Sequence, residues 1–422
     1  MSIRVLLAVV MVFLVGCDDS TQSPERKPFS ETCDREVIFN ESHGSNFQAQ
    51  IGDKFITPTE LVPKSEWPIV SDDLDFNGLE LALSRQLKRF SKIDLSGSIV
   101  LGDETYPLTR AKDSLQKFKL LIGEYRYCTD SHKYSREHCS KNFQEKLLEK
   151  FYLYRPKLSE GDPRYGEPLT TLFTGYYTPL LDVRETRTGE YIYPIYKKPT
   201  SDQKANSTRK QIDFEKKLEG QGLELYYAKN LFDLYLLHVQ GGGRVKLPSS
   251  MVSNRPNYLT YGGTNDQKWT FISTYMREQG MISDGSIESQ RKYLNSHPEK
   301  QEEIFSTCPS YVYFRKSSKP PEGSDRVSLT DNRSIATDIN YYKFKGLLTF
   351  VLTQRPVESI NPQANCNEIE FKDFSRFYID QDTGGAIRGK ARADLYFGEG
   401  DYAEYAAYNL VKTGQMFFLI LK

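Results

Sequence analysis

Asp380-Gln381-Asp382-Thr383-Gly384-Gly385-Ala386-Ile387-Arg388-Gly389 is followed at once by Lys390-Ala391-Arg392-Ala393-Asp394-Leu395-Tyr396-Phe397-Gly398. Strand-type apolar residues, Phe377 to Ile379, lead into this stretch, and the Gly384-Gly385 pair then allows a positive φ or a close approach of backbone to a ligand. A sharp turn is expected there. Carboxylates on either side of it can converge, although Asp382 and Asp394 stand 12 residues apart. If both face one cleft, mutual repulsion and partial burial raise the proton affinity of the more buried one, which makes a usable general acid. The plainer alternative makes Asp382 a turn cap and Asp394 a solvated loop acid.

Working back from this stretch, the chain reads as short β-type runs from about residue 170: Leu172-Phe173, Tyr191 to Tyr196, Leu234 to Val239, Tyr311 to Phe314, Leu347 to Leu352, and finally Met416 to Leu421. Turns rich in Gly, Pro, Asn and Asp separate them. Earlier in the chain, Phe76, Leu79, Leu83, Leu87 and Phe90 recur at helical spacing behind Asp72, Asp73 and Asp75, which read as N-terminal caps. A second helix carries Phe143, Leu147 and Phe151 and should end by Tyr154, before Pro156. The reading is a mainly β, barrel-like protein with its helices at the front.

Composition bounds the partners. The chain has 422 residues, 38% of them hydrophobic and 27% charged, which suits a globular protein of two or three folded units and excludes a disordered or multi-span membrane chain. Lys plus Arg and Asp plus Glu both total 56, so no net field draws it to nucleic acid, and no nucleic-acid partner is expected. Its 28 Tyr and 24 Phe against 2 Trp supply flat rings for a core or for a sugar-contacting cleft.

Met1 to Gly16 carries Arg4 and an apolar run too short for a permanent span, and is read as an export signal. It ends in Leu14-Val15-Gly16-Cys17, which resembles the lipobox of bacterial lipoproteins, so Cys17 is the expected lipidation site. Residues 17–58 are then a polar tether. The expected location is the periplasmic side of a Gram-negative envelope membrane, with Asp18 a signal that points to the inner one. In an oxidising compartment Cys128 and Cys139 are the first pair expected to form a disulfide, Cys308 with Cys366 a second, and Cys33 is left over. A zinc site of Cys128, Cys139, His132 and His138 matches no standard ligand spacing, and neither metal nor cofactor is expected.

The stretch from Asp382 to Gly398 resembles the 3D domain signature of the MltA family of lytic transglycosylases. Further stretches resemble that family in the same chain order: Phe173-Thr174-Gly175-Tyr176-Tyr177-Thr178-Pro179, His238-Val239-Gln240-Gly241-Gly242-Gly243-Arg244-Val245, Tyr261-Gly262-Gly263-Thr264-Asn265, Pro309 to Phe314, and Leu329 to Asp338. There are departures, among them Gly242 where the family has Ser and Cys308 where it has Asn.

The resemblance implies a double-ψ β-barrel domain with N-terminal helices, formed by 59–182 and 308–422, and a second β-barrel-like domain inserted at 183–307, with a groove between them. It implies that Asp394 is the single catalytic acid and base, supported by Asp382 through a hydrogen bond or charge. Thr174, Gly175, Tyr176, Gln240, Gly384 and Gly385 are the expected glycan contacts, and His238 is assigned to the core. The implied reaction cuts the β-1,4 bond between N-acetylmuramic acid and N-acetylglucosamine in peptidoglycan, leaving 1,6-anhydromuramic acid ends. Glycan strands, the membrane through the lipid on Cys17, and cell-wall synthesis or division proteins are the implied partners, and the family favours the outer membrane. Two alternatives stand beside it: a water-using glycoside hydrolase with Asp382 or Asp401 as base, and a catalytically silent glycan-binding lipoprotein.

Overall fold

In the computed structural model, which describes residues 47–248, 257–357 and 369–422, folded structure begins before the expected end of the tether. Strands β1 (Gln50–Ile51) and β2 (Lys54–Thr57) form a hairpin, and β3 (Thr59–Leu61) follows. Phe55 packs on Phe344 of the main core with ring centroids 5.5 Å apart, which fixes this segment to the body. Strands of two to four residues carry too little periodicity to be read in advance. Cys17 and the export signal lie outside the described residues.

Helix α1 (Leu79–Phe90) buries Leu79, Leu83 and Phe90, as their spacing predicts. The acids before it are not its caps. Gly78, in the left-handed region at φ 78°, occupies the N-cap with no side-chain bond. Asp72 instead takes both arms of Arg333, at 2.7 and 2.9 Å, and Asp73 those of Arg376, both at 2.8 Å. The first pair is buried and the second open to solvent on its Asp73 side, and together they fasten the front segment to the barrel. Strands β4 (Ser98–Leu101) and β5 (Glu104–Pro107) complete the small sheet. Helices α2 (Thr109–Asp130) and α3 (Arg136–Lys150) follow, tied by the Cys128–Cys139 disulfide. The second helix thus ends at Lys150, and Phe151 opens β6 (Phe151–Pro156).

Strand β7 (Thr171–Thr178) belongs to the barrel, and the chain then leaves it through Pro179 into the inserted unit. That unit holds β8 (Leu180–Arg184), β9 (Tyr193–Tyr196), the short helices α4 (Asp202–Ala205) and α5 (Arg209–Asp213), β10 (Glu224–Ala228), α6 (Leu231–Gln240), β11 (Gly243–Lys246) and β12 (Asn257–Thr264). Helices α7 (Ile272–Glu278), α8 (Ile287–Ser296) and α9 (Gln301–Ser306) and strand β13 (Val312–Ser317) complete it. Its strands form one sheet in the order β13-β12-β11-β8-β10-β9 around a separate core that includes Val183, Leu234, Leu259, Ile304 and Phe314. The sheet runs from residue 180 to 317, beyond the expected bounds of 183–307 on both sides.

The run Leu234 to Val239, expected as a strand, lies in α6, so helices are not confined to the front. Asn230 caps it by accepting the amides of Phe232 and Asp233, and Gly241 closes it at φ 73°. Those two caps decide the matter, because a nearly unbroken apolar run, interrupted by His238, has neither a helical nor a strand period. Cys308 is a buried free thiol, which overturns the expected second disulfide; Cys33 and Cys366 lie outside the described residues.

The barrel closes with β14 (Ser334–Thr337), β15 (Leu348–Pro356), β16 (Phe371–Asp382), β17 (Arg392–Glu399), helix α10 (Asp401–Asn409) and β18 (Val411–Leu421). Its order is β15-β16-β14-β17-β7-β18, and β18 pairs back onto β15 with Leu348 opposite Leu419, so six strands close without an edge. Two pairs are parallel, β14 with β16 and β17 with β7, and the others antiparallel. Strand β18 is apolar without alternation from Met416 to Leu421, as a strand covered on both faces must be. Arg333, held by Asp72, stands directly before β14 and so pins the strand that runs between the two motif aspartates.

Candidate active site

Residues two apart on a strand share a face, so Arg392 and Asp394 of β17 point the same way. Across the parallel pairing, Thr174 of β7 lies opposite Asp394. The Thr174 hydroxyl donates to Oδ1 of Asp394. Arg392, fully buried, donates through Nε at 3.2 Å and Nη2 at 3.0 Å to that same oxygen, and Nη2 also reaches Thr174 Oγ1 at 2.7 Å. All three bonds to the carboxylate end on Oδ1, and 14% of the side chain stays exposed. One oxygen is therefore fastened, and none of these bonds engages the other. Asp394 is not the solvated loop acid of the plainer reading. Sequence reasoning missed Arg392, and the signal for it was the strand alternation Arg392-Ala393-Asp394.

Asp382 ends β16, on the far side of β14, where Ala336 lies opposite both aspartates. Two strand spacings put their backbones about 10 Å apart. No hydrogen bond joins the two carboxylates. Asp382 Oδ1 accepts the amides of Thr383 and Ser324, both at 2.8 Å, so this oxygen does cap the turn. Although part of its surface reaches solvent, the packing around its carboxyl pushes its pKa up, against those amides. Its neighbour Asp380 is wholly buried with Lys345 at 3.1 Å and Thr337 at 2.9 Å, and burial pushes it up to about 6.

Tyr176 lies on the Thr174 face of β7, its ring 5.1 Å from that of Tyr396. Its hydroxyl is buried and closes no hydrogen bond. Burial first, and then the neighbouring negative charge of Asp382 and, more weakly, of Asp394, push the phenol well above its usual range.

The remaining predicted contacts divide. Gly175 faces the opposite way: a methyl group there would lie 2.6 Å from the Phe397 ring and 2.9 Å from the Ala407 backbone, so the missing side chain serves close packing. Neither Gly384 nor Gly385 has positive φ; in this turn it falls on Gly389, at 96°. Gly385 does border open space, with nothing within 4 Å of an added methyl. Gln240 ends α6, and its Oε1 accepts the Tyr177 amide at 3.3 Å, while its Nε2 is buried without a partner. Tyr177 itself is buried, bonded to Tyr408 at 2.7 Å and Glu404 at 3.1 Å. His238 sits in the inserted core between Tyr311 and Phe314.

Residues 172–315 match the family model of the MltA-specific insert domain, and residues 333–420 match that of the 3D domain. Membrane-bound lytic murein transglycosylase A of Vibrio cholerae is 28% identical over 280 residues, which is 65% of this chain and 71% of that protein. The Escherichia coli K12 protein of the same name is 31% identical over 252 residues, 59% of this chain and 64% of that protein. The chain thus spans just under two thirds of the E. coli relative.

Among solved structures, a membrane-bound lytic murein transglycosylase from Agrobacterium tumefaciens matches with a TM-score of 0.63 at 21% identity, covering 86% of this chain and 97% of that one. E. coli MltA with bound chitohexaose matches with a TM-score of 0.60 at 19% identity, covering 90% and 96%. At such identities the likeness is one of fold. A closed 3D barrel that carries this insert defines a lytic transglycosylase of peptidoglycan. The chain belongs to the membrane-bound lytic murein transglycosylase A family.

Proposed function

We propose that this protein cuts the β-1,4 bond between N-acetylmuramic acid and N-acetylglucosamine in peptidoglycan, with Asp394 as its only acid and base. The observation that carries the reading is the asymmetry of Asp394: Oδ1 is fixed by Thr174 and Arg392, while none of these bonds engages Oδ2. In the first step Oδ2 delivers a proton to O4 of the leaving N-acetylglucosamine. In the second it takes the proton of the C6 hydroxyl as that oxygen closes on C1 of the muramic acid. Each turnover returns a proton to Asp394. An internal nucleophile held near C1 removes much of the entropic barrier, and no water has to be activated.

A water-using hydrolase needs a second carboxyl at a set distance, about 5 Å for retention or about 6.5–9.5 Å for inversion. Asp382 stands across an intervening strand with one oxygen engaged by two amides, and Asp401 lies beyond the end of β17, roughly 20 Å along the chain from Asp394. Among the described residues neither carboxyl is hydrogen-bonded to Asp394 or to the groups that hold its Oδ1. Thr174 holds the acid, which leaves Tyr176, Gln240 and the open turn at Gly384 and Gly385 as the glycan contacts. The chitohexaose bound by the E. coli relative supports a glycan as the substrate. The same reading places the protein on the periplasmic side of the envelope, anchored through Cys17, within reach of the glycan and of cell-wall synthesis or division proteins.

Asp394→Asn tests this. It keeps the size and one acceptor but cannot donate and regain the proton, so murein clearance should fall at least about 1,000-fold while binding to sacculi persists. A variant that still clears murein would refute the assignment.

A further inference from the structure

Strands β7 and β17 run in register from Arg392 opposite Leu172 to Tyr396 opposite Tyr176, and then the register slips, so that Glu399 stands opposite Thr178. The extra residue on β17 is a β-bulge, a device that re-aims the side chain after it. Residues opposite one another share a face, so Glu399 is turned onto the face of Thr174, Thr178 and Asp394, where an unbroken strand would have put Gly398. We propose that Glu399 is a positioning residue that clasps the inserted unit to the end of β17 and so holds the Gln240 turn over the strand that carries Asp394; this rests on the function proposed above.

Two neighbours from the insert make the clasp. Arg244 of β11 lies opposite Tyr258 of β12. The Tyr258 hydroxyl donates to Glu399 Oε1 at 2.8 Å, and Arg244 Nη1 donates to Oε2 at 3.3 Å, so each carboxyl oxygen takes one donor. Their weights differ. Tyr258 is buried, and a charge-assisted bond in such surroundings is strong, whereas the Arg244 pair is half open to water on its Arg244 side and is screened.

What the clasp holds is the turn of a glycan contact. Gln240 ends α6, and Gly241, Gly242 and Gly243 alone separate it from Arg244. That turn has little room to yield: a methyl group on Gly243 would lie 2.9 Å from the Pro179 carbonyl, and the Arg244 amide donates to that same carbonyl at 2.7 Å. At its other end Gln240 Oε1 accepts the Tyr177 amide at 3.3 Å. The turn is thus tied at Tyr177, at Pro179 and at Glu399. The first two lie on one line of chain, about which the turn could tilt; the third, on the neighbouring strand, fixes the tilt. Glu399 touches no reacting atom. Its loss lowers the fraction of molecules in which Gln240 and Asp394 face one glycan, and the apparent affinity falls by that fraction.

The test is steady-state murein clearance by the purified full-length protein, with kcat and KM separated, for Glu399→Leu, Glu399→Gln, Tyr258→Phe and the Glu399→Leu/Tyr258→Phe double variant, with Asp394→Asn beside them. Glu399→Leu should raise KM about tenfold, the worth of a lost charge-assisted bond, with kcat within about twofold of wild type. Tyr258→Phe keeps the buried ring, so the fold is retained, and should raise KM about fivefold. Glu399→Gln keeps an acceptor for Tyr258 and loses only the charge, so its rise should be about threefold. The double variant should be no worse than Glu399→Leu alone, because both changes open one clasp. An unmoved KM in Glu399→Leu, a lowered kcat with unmoved KM in Tyr258→Phe, or a double variant whose rises multiply would overturn the clasp and leave Asp394 in place. Activity in Asp394→Asn would instead overturn the function beneath it.

Discussion

Arg392 lays its guanidinium on one oxygen of Asp394, with Nη2 at 3.0 Å and Nε at 3.2 Å from Oδ1, and reaches Thr174 from the same nitrogen that makes the shorter bond. A planar fork fits this three-way contact, and the point charge of a lysine does not. Arg392→Lys should therefore lower kcat about 10- to 100-fold with KM within about twofold, because the acid is misplaced while the glycan still binds. Steady-state murein clearance checks this, and an unchanged kcat would remove Arg392 from the site.

Gly175 is pressed between β17 and α10, as the approach of an added methyl to Phe397 and Ala407 requires. Gly175→Ala should cost about 1–3 kcal/mol by overpacking. Thermal unfolding reads the loss directly. A variant of unchanged stability that binds glycan poorly would restore the glycine to the glycan contacts.

Lys345 is the counter-charge of a buried carboxylate. Burial raises Asp380 from its ordinary 3.8 to about 6, so the folded form holds a proton that the unfolded form has released. The stability this confers is full below about 3.8 and is lost as pH rises through about 6. Lys345→Met strands the ionised acid and should cost about 3–5 kcal/mol near pH 8. Without Lys345 to hold it down, Asp380 takes up its proton at a pH above about 6, so the cost should shrink as pH falls toward that value. Urea unfolding at both ends of this range checks the sign.

His238 behaves in the opposite sense. Burial, helped by the Arg209 charge, holds it well below its ordinary 6.5, so the unfolded chain binds a proton that the folded one refuses. The stability is full above about 6.5 and drains as pH falls below it. His238→Phe should leave unfolding near pH 8 within about 1 kcal/mol of wild type and flatten the loss of stability between about pH 6.5 and 5. An acid limb that persists undiminished would mean that other groups cause it.

The parts of this molecule that were legible in the sequence are those whose pattern is local. The apolar run Met416 to Leu421 was read as a strand and lies in β18, and the spacing of Leu79, Leu83 and Phe90 was read as a helix and lies in α1. What was hidden depends on distant residues. Asp72 and Asp73 look like caps because they precede a helix, yet their partners Arg333 and Arg376 lie 261 and 303 residues away. Leu234 to Val239 looked like a strand because the caps at Asn230 and Gly241 were not weighed against an all-apolar run. The turn glycines were read for backbone freedom, but the left-handed residue is Gly389, further along the turn. The motif put two aspartates on either side of one turn; only the register, with Ala336 opposite both, shows that a strand stands between them.

The measurement that bears most directly on the account is the mass of the ends released when the soluble protein digests purified murein. Ring closure by the C6 hydroxyl predicts muropeptides lighter by one water than the reducing-end products of a muramidase, with none formed by Asp394→Asn. Reducing ends from the wild-type protein would contradict it, because a second group would then be activating water.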